Sequence, residues 1–306
     1  MEYGITSERA RMTDEQVDTF LALVRARSVT GAADLVRCAQ ATASERLRAL
    51  ERELGTPLYR RRGRGVELTA AGRAAAAALP SVRAARDAAR GRVRAAASGL
   101  AARLELAVCV TAGAYCLAPA FVAFRARRAD VEVAVRSVHS DDALGLLLAG
   151  TVDLAVTSAP LIHPRVVRLG HGSRPMVLVG APRSALARRP VDAAALRSAA
   201  LLTSSWGPAY ARFLDDVRGD APVPPTWTEA SPIDLAKALV EAGAGVSLLP
   251  RVAVRAELEA GRLVALRTDG LALPRWSLHL STRHGRDDEP LVALAGALRG
   301  ALGEAT

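Results

Sequence analysis

The residues best suited to chemistry in this 306-residue chain lie between Gln40 and Arg64. Gln40, Thr42, Ser44, Glu45, Arg46 and Arg48 fall on the first two turns of a helical pattern, away from Leu47 and Leu50. Glutamine pairs with two sites on adenine and arginine with two on guanine. Glutamate accepts from the cytosine amino group, and threonine touches a thymine methyl. Arg60, Arg61 and Arg62 follow, then Gly63-Arg64-Gly65. Arginine at a hairpin tip enters a minor groove or grips phosphate. One of the three consecutive arginines is expected to fold back onto an internal carboxylate such as Glu51. Taken singly, each residue also reads as part of a solvated face.

Positioning these side chains requires a small helical framework. Thr13-Asp14-Glu15-Gln16 has the form of a capping box. It predicts a helix to about Arg27 that carries Val17, Phe20, Leu21 and Val24 at helical spacing. Thr30 is the expected cap of a short second helix bearing Ala32, Ala33 and Val36. A turn near Arg37–Ala39 then leads into a third helix, Gln40 to Leu54, with Leu47, Leu50 and Leu54 on its buried face. Gly55 supplies a left-handed stop and Pro57 prevents continuation. Leu58–Arg62 and Gly65–Leu68 suit a two-stranded wing, and Thr69 suits the cap of a long alanine-rich helix to about Ala97. Alanine stripes permit close pairing of two such helices in an antiparallel dimer, with a solvated linker as the alternative. Pro80 and Gly91 are liabilities within it.

From Leu100 the pattern alternates between strands and helices. Strands are expected at Leu104–Val110, Val131–Val138 and Val152–Thr157, with helices at Tyr115–Arg127 and Asp141–Leu148 and a turn at Thr111-Ala112-Gly113. A second such unit runs from a strand at Met176–Gly180 to one at Val246–Pro250. The tail returns with a strand at Trp276–Ser281 and a helix at Pro290–Leu302. This order predicts parallel sheet covered on both faces. A unit interrupted and resumed gives two lobes and a cleft. Ligands of such sheets sit at strand ends, which selects Thr111, Ala112, His139, Ser140, Thr157, Ser158, Thr203, Ser204, Ser205 and Ser231. Hydroxyls and helix-start N–H groups suit a small anion, and ordinary helix capping is the alternative. Trp206 either stacks on a ring or plugs the hinge. Of five histidines only His139 is expected at the cleft; the others read as surface or satisfied residues.

Composition narrows the class. The formal charge is +10, of which +7 falls in residues 1–99, and Lys237 is the only lysine. A basic front third favours a nucleic-acid partner. Three cysteines, Cys38, Cys109 and Cys116, with no CxxC spacing predict neither a disulfide framework nor a zinc site. With no signal-peptide pattern and no long apolar run, a soluble cytoplasmic protein without a membrane partner is expected. No G-x-S-x-G or phosphate loop stands in a strand-to-helix context, and Gly243-Ala244-Gly245 precedes a strand, the wrong order for phosphate. Neither an enzyme nor a cofactor is expected. A solute-binding protein or enzyme with a basic dimerisation arm and a nucleoid-type DNA protein remain the alternatives.

Phe20, Ala32-Ala33, Gln40, Ser44, Leu50-Glu51, Leu54-Gly55, Leu58-Tyr59, Arg61, Arg64, Leu68-Thr69 and Ala71-Gly72 together resemble the DNA-binding domain of LysR-type transcriptional regulators. Gly150-Thr151-Val152-Asp153-Leu154-Ala155-Val156 and Gly243–Val246 with Leu249-Pro250 are similar to later segments of the same family. The resemblance implies an α/β protein with a winged helix-turn-helix over 13–69 after a leader at 1–12. A linker and dimerisation helix over 70–98 and a two-lobed, periplasmic-binding-protein-like effector domain over 99–306 would follow. The first lobe would take about 99–170 and 270–306, and the second about 171–269. It implies a double-stranded DNA operator, a small-molecule effector and assembly as a dimer or tetramer, with RNA polymerase as a candidate further partner. DNA contacts would come from Gln40, Ala41, Thr42, Ser44, Glu45, Arg46, Arg48, Arg61, Arg62 and Arg64. Departures at Ala39, Ala41 and Glu45, where the family usually has serine, proline and a basic residue, bear on which DNA is read. Thr111-Ala112-Gly113-Ala114-Tyr115 is similar to a segment of the subgroup that regulates sulfur and carbon-fixation genes. Thr203–Gly207 departs from that subgroup, so no effector carries over.

Overall fold

A computed structural model describes residues 12–63, 65–220, 222–224 and 226–304. The expected leader, Met12 apart, and the wing-tip Arg64 lie outside these residues. Contacts divide the chain into two units, Met1–Arg90 and Gly91–Thr306.

In the first unit, helix α1 (Asp14–Ala26) opens on the expected capping box: Gln16 N–H donates to Thr13 Oγ1 at 3.3 Å, and Thr13 N–H to Gln16 Oε1 at 2.9 Å. Helix α2 (Val29–Val36) is capped by Ser28, which accepts from Gly31 N–H at 3.0 Å, and not by Thr30. Arg27 adopts a left-handed φ of 53°. That turn ends α1 and leaves Ser28 extended, the conformation an N-cap needs, while Thr30 falls inside the helix. Helix α3 (Gln40–Leu54) starts at Ala39 without a side-chain cap and stops at Gly55, φ 69°. Val17, Phe20, Leu23, Ala32, Leu47, Leu50 and Leu58 form the core between the three helices. Leu54, expected to be buried, is 41 % exposed, because the last turn of α3 runs past that core. Strands β1 (Tyr59–Arg62) and β2 (Gly65–Leu68) pair antiparallel, with Arg60 opposite Glu67 and Arg61 opposite Val66. Thr69 accepts from Gly72 N–H at 2.9 Å and so caps helix α4 (Ala70–Ala97). A Cβ at Gly72 would lie 1.8 Å from the Leu58 carbonyl oxygen, so only glycine allows this helix start to approach the wing.

The second unit runs β3 (Ala102–Cys109), α5 (Val110–Tyr115), α6 (Ala118–Arg127), β4 (Val131–Val138), α7 (Ser140–Leu148), β5 (Leu154–Thr157), β6 (Val166–Gly180), α8 (Ala193–Ser198), β7 (Leu201–Thr203), α9 (Pro208–Arg218), β8 (Trp227–Glu229), α10 (Ile233–Glu241), β9 (Val246–Pro250), α11 (Arg255–Glu259), β10 (Val264–Ala265), β11 (Arg275–Arg283) and α12 (Glu289–Arg299). The sheet order is β4-β3-β5-β11-β6-β9-β7-β8, with β10 also on β6. It is mixed, not all parallel: β3 pairs parallel with β4 and β5, and β7 with β8 and β9, but β6 and β11 run antiparallel to their neighbours. The cause is the connection between lobes. The 15-residue β6 starts well before Met176; its first part pairs with β11, and its last five residues serve the other lobe through β9 and β10. A strand returning from the second lobe must then run against it. The expected turn at Thr111-Ala112-Gly113 is the short helix α5, and the expected single helix Tyr115–Arg127 is two, broken ahead of Pro119 at the start of α6.

Candidate nucleic-acid interface and interlobe cleft

Helix α3 turns Ala43, Leu47 and Leu50 inward and leaves Gln40, Ala41, Thr42, Glu45 and Arg48 exposed. At about 3.6 residues per turn, Ala41, Glu45, Arg48 and Arg52 form one column opposite the core. Arg52 escaped the sequence reading although it lies one turn beyond Arg48 on the same face. Ser44 and Arg46 are half-buried at the flanks. Arg46 is partly engaged elsewhere. The Glu15 carboxyl of α1 is held below its ordinary range by its own backbone N–H, then by the Thr13 hydroxyl and by the Arg46 guanidinium.

The wing departs from expectation in one contact. Glu51 Oε1 accepts from Leu58 N–H at 2.8 Å and, among the described residues, pairs with no arginine. Arg60 and Arg62 instead each lie 3.3 Å from Glu67 Oε2 across the hairpin. The strand alternation explains this: residues two apart share a face, and Glu67 is the register partner of Arg60. Arg61 points to the other face and has no ion pair among the described residues.

The effector candidates meet at the ends of the parallel strands, but most of their hydroxyls are engaged. Ser140 Oγ lies 3.0 Å from Ser158 Oγ and accepts from Ser158 N–H at 3.1 Å, which joins the ends of β4 and β5. Thr203 Oγ1 donates to Thr228 O at 3.4 Å, and Ser204 Oγ to Ala230 O at 2.7 Å, within the second lobe. Thr111, Ala112 and Thr157 are buried, the first two inside α5, and Thr157 Oγ1 donates to Ala159 O at 2.7 Å. His139, Ser205 and Ser231 are exposed in the loops after β4, β7 and β8. The lobes touch here. Gly207, φ 93°, packs so closely on Ser158 that a Cβ would sit 2.5 Å from the Ser158 carbonyl oxygen. Trp206 is buried edge-on against Trp276 of β11, ring centres 5.9 Å apart. A cavity of about 420 Å³ lies elsewhere in the second lobe, beside Arg183, Leu186, Ala200 and Gly245, and none of the predicted hydroxyls lines it.

Several engaged charges had no signal in sequence spacing. Asp153, fully buried ahead of β5, accepts from Arg92 of α4 at 2.7 Å, from Arg286 at 2.6 Å and from Glu105 N–H at 2.8 Å. His279 of β11 is neither a surface nor a satisfied histidine. It is buried against His171, its Nδ1 has no hydrogen-bond partner among the described residues, and burial, then the nearby His171 and Arg168, push its pKa down to about 4. Burial pushes the Cys109 thiol up to about 11 and raises that of Cys116. Among the described residues, no three His, Cys, Asp or Glu side chains are arranged to hold a metal ion, and no helix is long and apolar enough to cross a membrane.

Known proteins share both units. Residues 15–73 match the family described as bacterial regulatory helix-turn-helix protein, lysR family, and residues 97–303 match the LysR substrate binding domain. The HTH-type transcriptional regulator CbbR of Rhodospirillum rubrum is 30% identical over 287 residues, covering 90% of this chain and 92% of that protein. A probable hydrogen peroxide-inducible genes activator of Mycobacterium avium is 31% identical over 291 residues, covering 91% and 92%. Among solved structures, CbnR, a LysR family transcriptional regulator, shares the fold with a TM-score of 0.71 at 24% identity, over 96% of this chain and 100% of that one. Full-length CbnR complexed with its target DNA gives 0.69 at 23% identity, over 95% and 100%.

Proposed function

The chain belongs to the LysR family of transcriptional regulators, and on that premise we propose which of its residues read DNA and which meet the effector. The regulator joins a helix-turn-helix to an effector-binding domain. We assign the winged reader to 13–69, the dimerising helix to 70–98 and the effector domain to 99–306. The outward column of α3, Ala41, Glu45, Arg48 and Arg52, enters the major groove, with Gln40, Thr42, Ser44 and Arg46 at its flanks. Arg61, Arg62 and Arg64 of the wing meet the backbone or minor groove. The observation that carries this reading is that exposed column, polar from Glu45 onward, opposite a packed core. A relative of the same fold was solved with its target DNA.

The effector is a small anion received where Thr111, Ala112, His139, Ser140, Ser158, Thr203, Ser204, Ser205 and Ser231 converge, without catalysis. The protein acts in the cytoplasm as a dimer or tetramer and meets RNA polymerase at the promoter. Within the effector domain a bound metabolite is favoured over thiol oxidation as the signal, although one relative is named for peroxide induction. Cys109 and Cys116 are buried with raised pKa values, and the reactive species of a sensor cysteine is an exposed thiolate. Selection from randomised duplex DNA tests the reader. A partly dyadic consensus that changes in Glu45→Gln supports it, and binding without sequence preference sinks it. Screening metabolites for thermal stabilisation of the full chain tests the effector site: a hit abolished by Ser140→Ala or Ser204→Ala supports it, and a hit indifferent to both overturns it.

A further inference from the structure

The chain's one lysine stands where the two lobes meet. Lys237 Nζ, on α10 of the second lobe, lies 2.7 Å from Glu257 Oε1 of α11 and donates to the Tyr115 hydroxyl of α5, in the first lobe, at 3.2 Å. Tyr115 in turn donates to Asp234 Oδ1 of α10 at 2.8 Å. The ammonium also lies 5.1 Å from the centre of the Tyr115 ring, within cation–π range. Only about a tenth of the Lys237 and Glu257 side chains is exposed, so the pair is largely removed from solvent screening. A compact ammonium can turn its three donors to a carboxylate and a phenol at once, whereas a planar guanidinium holds its five donors in a fixed fork. That distinction gives meaning to a single lysine in a chain whose other basic residues are all arginine.

We propose that Tyr115 is the bolt, and Lys237 with Asp234 and Glu257 the socket, of a latch that holds the two lobes closed. The latch crosses between lobes and works together with the contact of Gly207 on Ser158. Its regulatory consequence rests on reading the interlobe cleft as the effector site: an effector that opens the lobes must break the latch, and one that closes them further gains from it. Its existence does not depend on that reading and is tested without DNA or effector.

Lys237 is the only side-chain amine, so acylation by N-hydroxysuccinimide acetate followed by peptide mass spectrometry reports on it alone. The full chain is compared with Tyr115→Phe, which removes one hydroxyl, and with Asp234→Asn, an exposed partner whose change leaves the core intact. Loss of one charge-assisted hydrogen bond should raise Lys237 acylation about fivefold or more in Tyr115→Phe and by less in Asp234→Asn. Backbone hydrogen exchange over residues 157–161 and 203–208 should quicken in parallel. Acylation at the wild-type rate in both variants overturns the latch. So does faster acylation with unchanged exchange in those two segments, which would reduce the cluster to an ion pair local to the second lobe. A failed DNA or metabolite assay leaves either outcome readable.

Discussion

The base-reading candidates from Gln40 to Arg48 sit on one helix, whereas the effector candidates come from five separated segments that meet only through the sheet. The first region leaves most of its polar groups exposed; the second bonds most of its hydroxyls to each other and to backbone carbonyls. A surface meant for a large, always similar polyanion needs no concealment, since water satisfies its donors until DNA replaces it. A cleft between lobes must satisfy its polar groups when closed, because an unpaired buried group costs about 1–3 kcal/mol. The same contrast extends to charge. The second unit buries Glu105, Asp153 and Glu257, while among the described residues the buried polar side chain of the three-helix reader is the uncharged Thr19.

That contrast predicts where damage falls on stability and where on recognition. The largest effect is expected at Asp153→Ala, which takes the shared buried acceptor from Arg92, from Glu105 N–H and from Arg286, leaving Arg286 only Asp288. Breaking such a buried cluster costs about 3–5 kcal/mol, read as a lowered denaturation midpoint of the effector unit. A loss below about 1 kcal/mol would show that the cluster is far wetter than its burial implies. His279 gives the next test. Its native pKa of about 4 lies below the ordinary 6.5, so between those values the unfolded chain binds a proton that the native chain does not. Stability contributed by neutral His279 is therefore present above pH 6.5 and lost as pH falls toward 4. His279→Leu should flatten that part of the stability–pH curve; an unchanged slope would mean that His279 is not the group responsible.

At the reader the expectation reverses. Arg48→Ala should leave the unfolding midpoint in place and weaken binding to the selected operator by about 1–3 kcal/mol if Arg48 reads a base. An equal loss on random DNA would assign it to phosphate. Below this comes a pair of caps. Ser28→Ala removes the hydroxyl that accepts from Gly31 N–H and should destabilise the reader by about 1 kcal/mol. Thr30→Ala, inside the helix, should do far less, and equal effects would return the cap to Thr30.

The two regions also differed in what their residues disclosed. Helix α3, both wing strands and the stop at Gly55 follow from short-range rules, periodicity and turn chemistry, and their boundaries were accessible to within a residue. Ser28 and Thr30 are both capping residues, and the choice between them depended on the left-handed Arg27. In the effector unit, Val131–Val138 and Val246–Pro250 were equally plain, because each is a compact, mostly apolar run. The antiparallel β6 and β11 were not, since strand direction depends on how two distant crossings return. The roles of Asp153, Lys237 and His279 were hidden for the same reason: their partners lie tens of residues away, and no spacing rule connects them.

The wing stands between the two regions, partly exposed and partly self-satisfied, and it offers the smallest and sharpest comparison. Arg61 has no ion pair among the described residues, while Arg62 shares Glu67 with Arg60 at 3.3 Å. A surface pair of this kind contributes only about 0–1 kcal/mol to stability, so neither substitution should move the unfolding midpoint. Their effects on DNA affinity should differ through charge. If Arg61 neutralises one phosphate, Arg61→Ala should reduce the slope of log K against log salt by about 0.9. Arg62→Ala should reduce it by less, because Glu67 already offsets part of that charge before DNA arrives. Glu67→Gln removes the offset and should strengthen binding, most at low salt, where screening is weakest. Equal slope losses for Arg61 and Arg62 would mean that DNA breaks the Glu67 pairs at no net loss. The wing would then behave as an unencumbered basic surface like the face of α3.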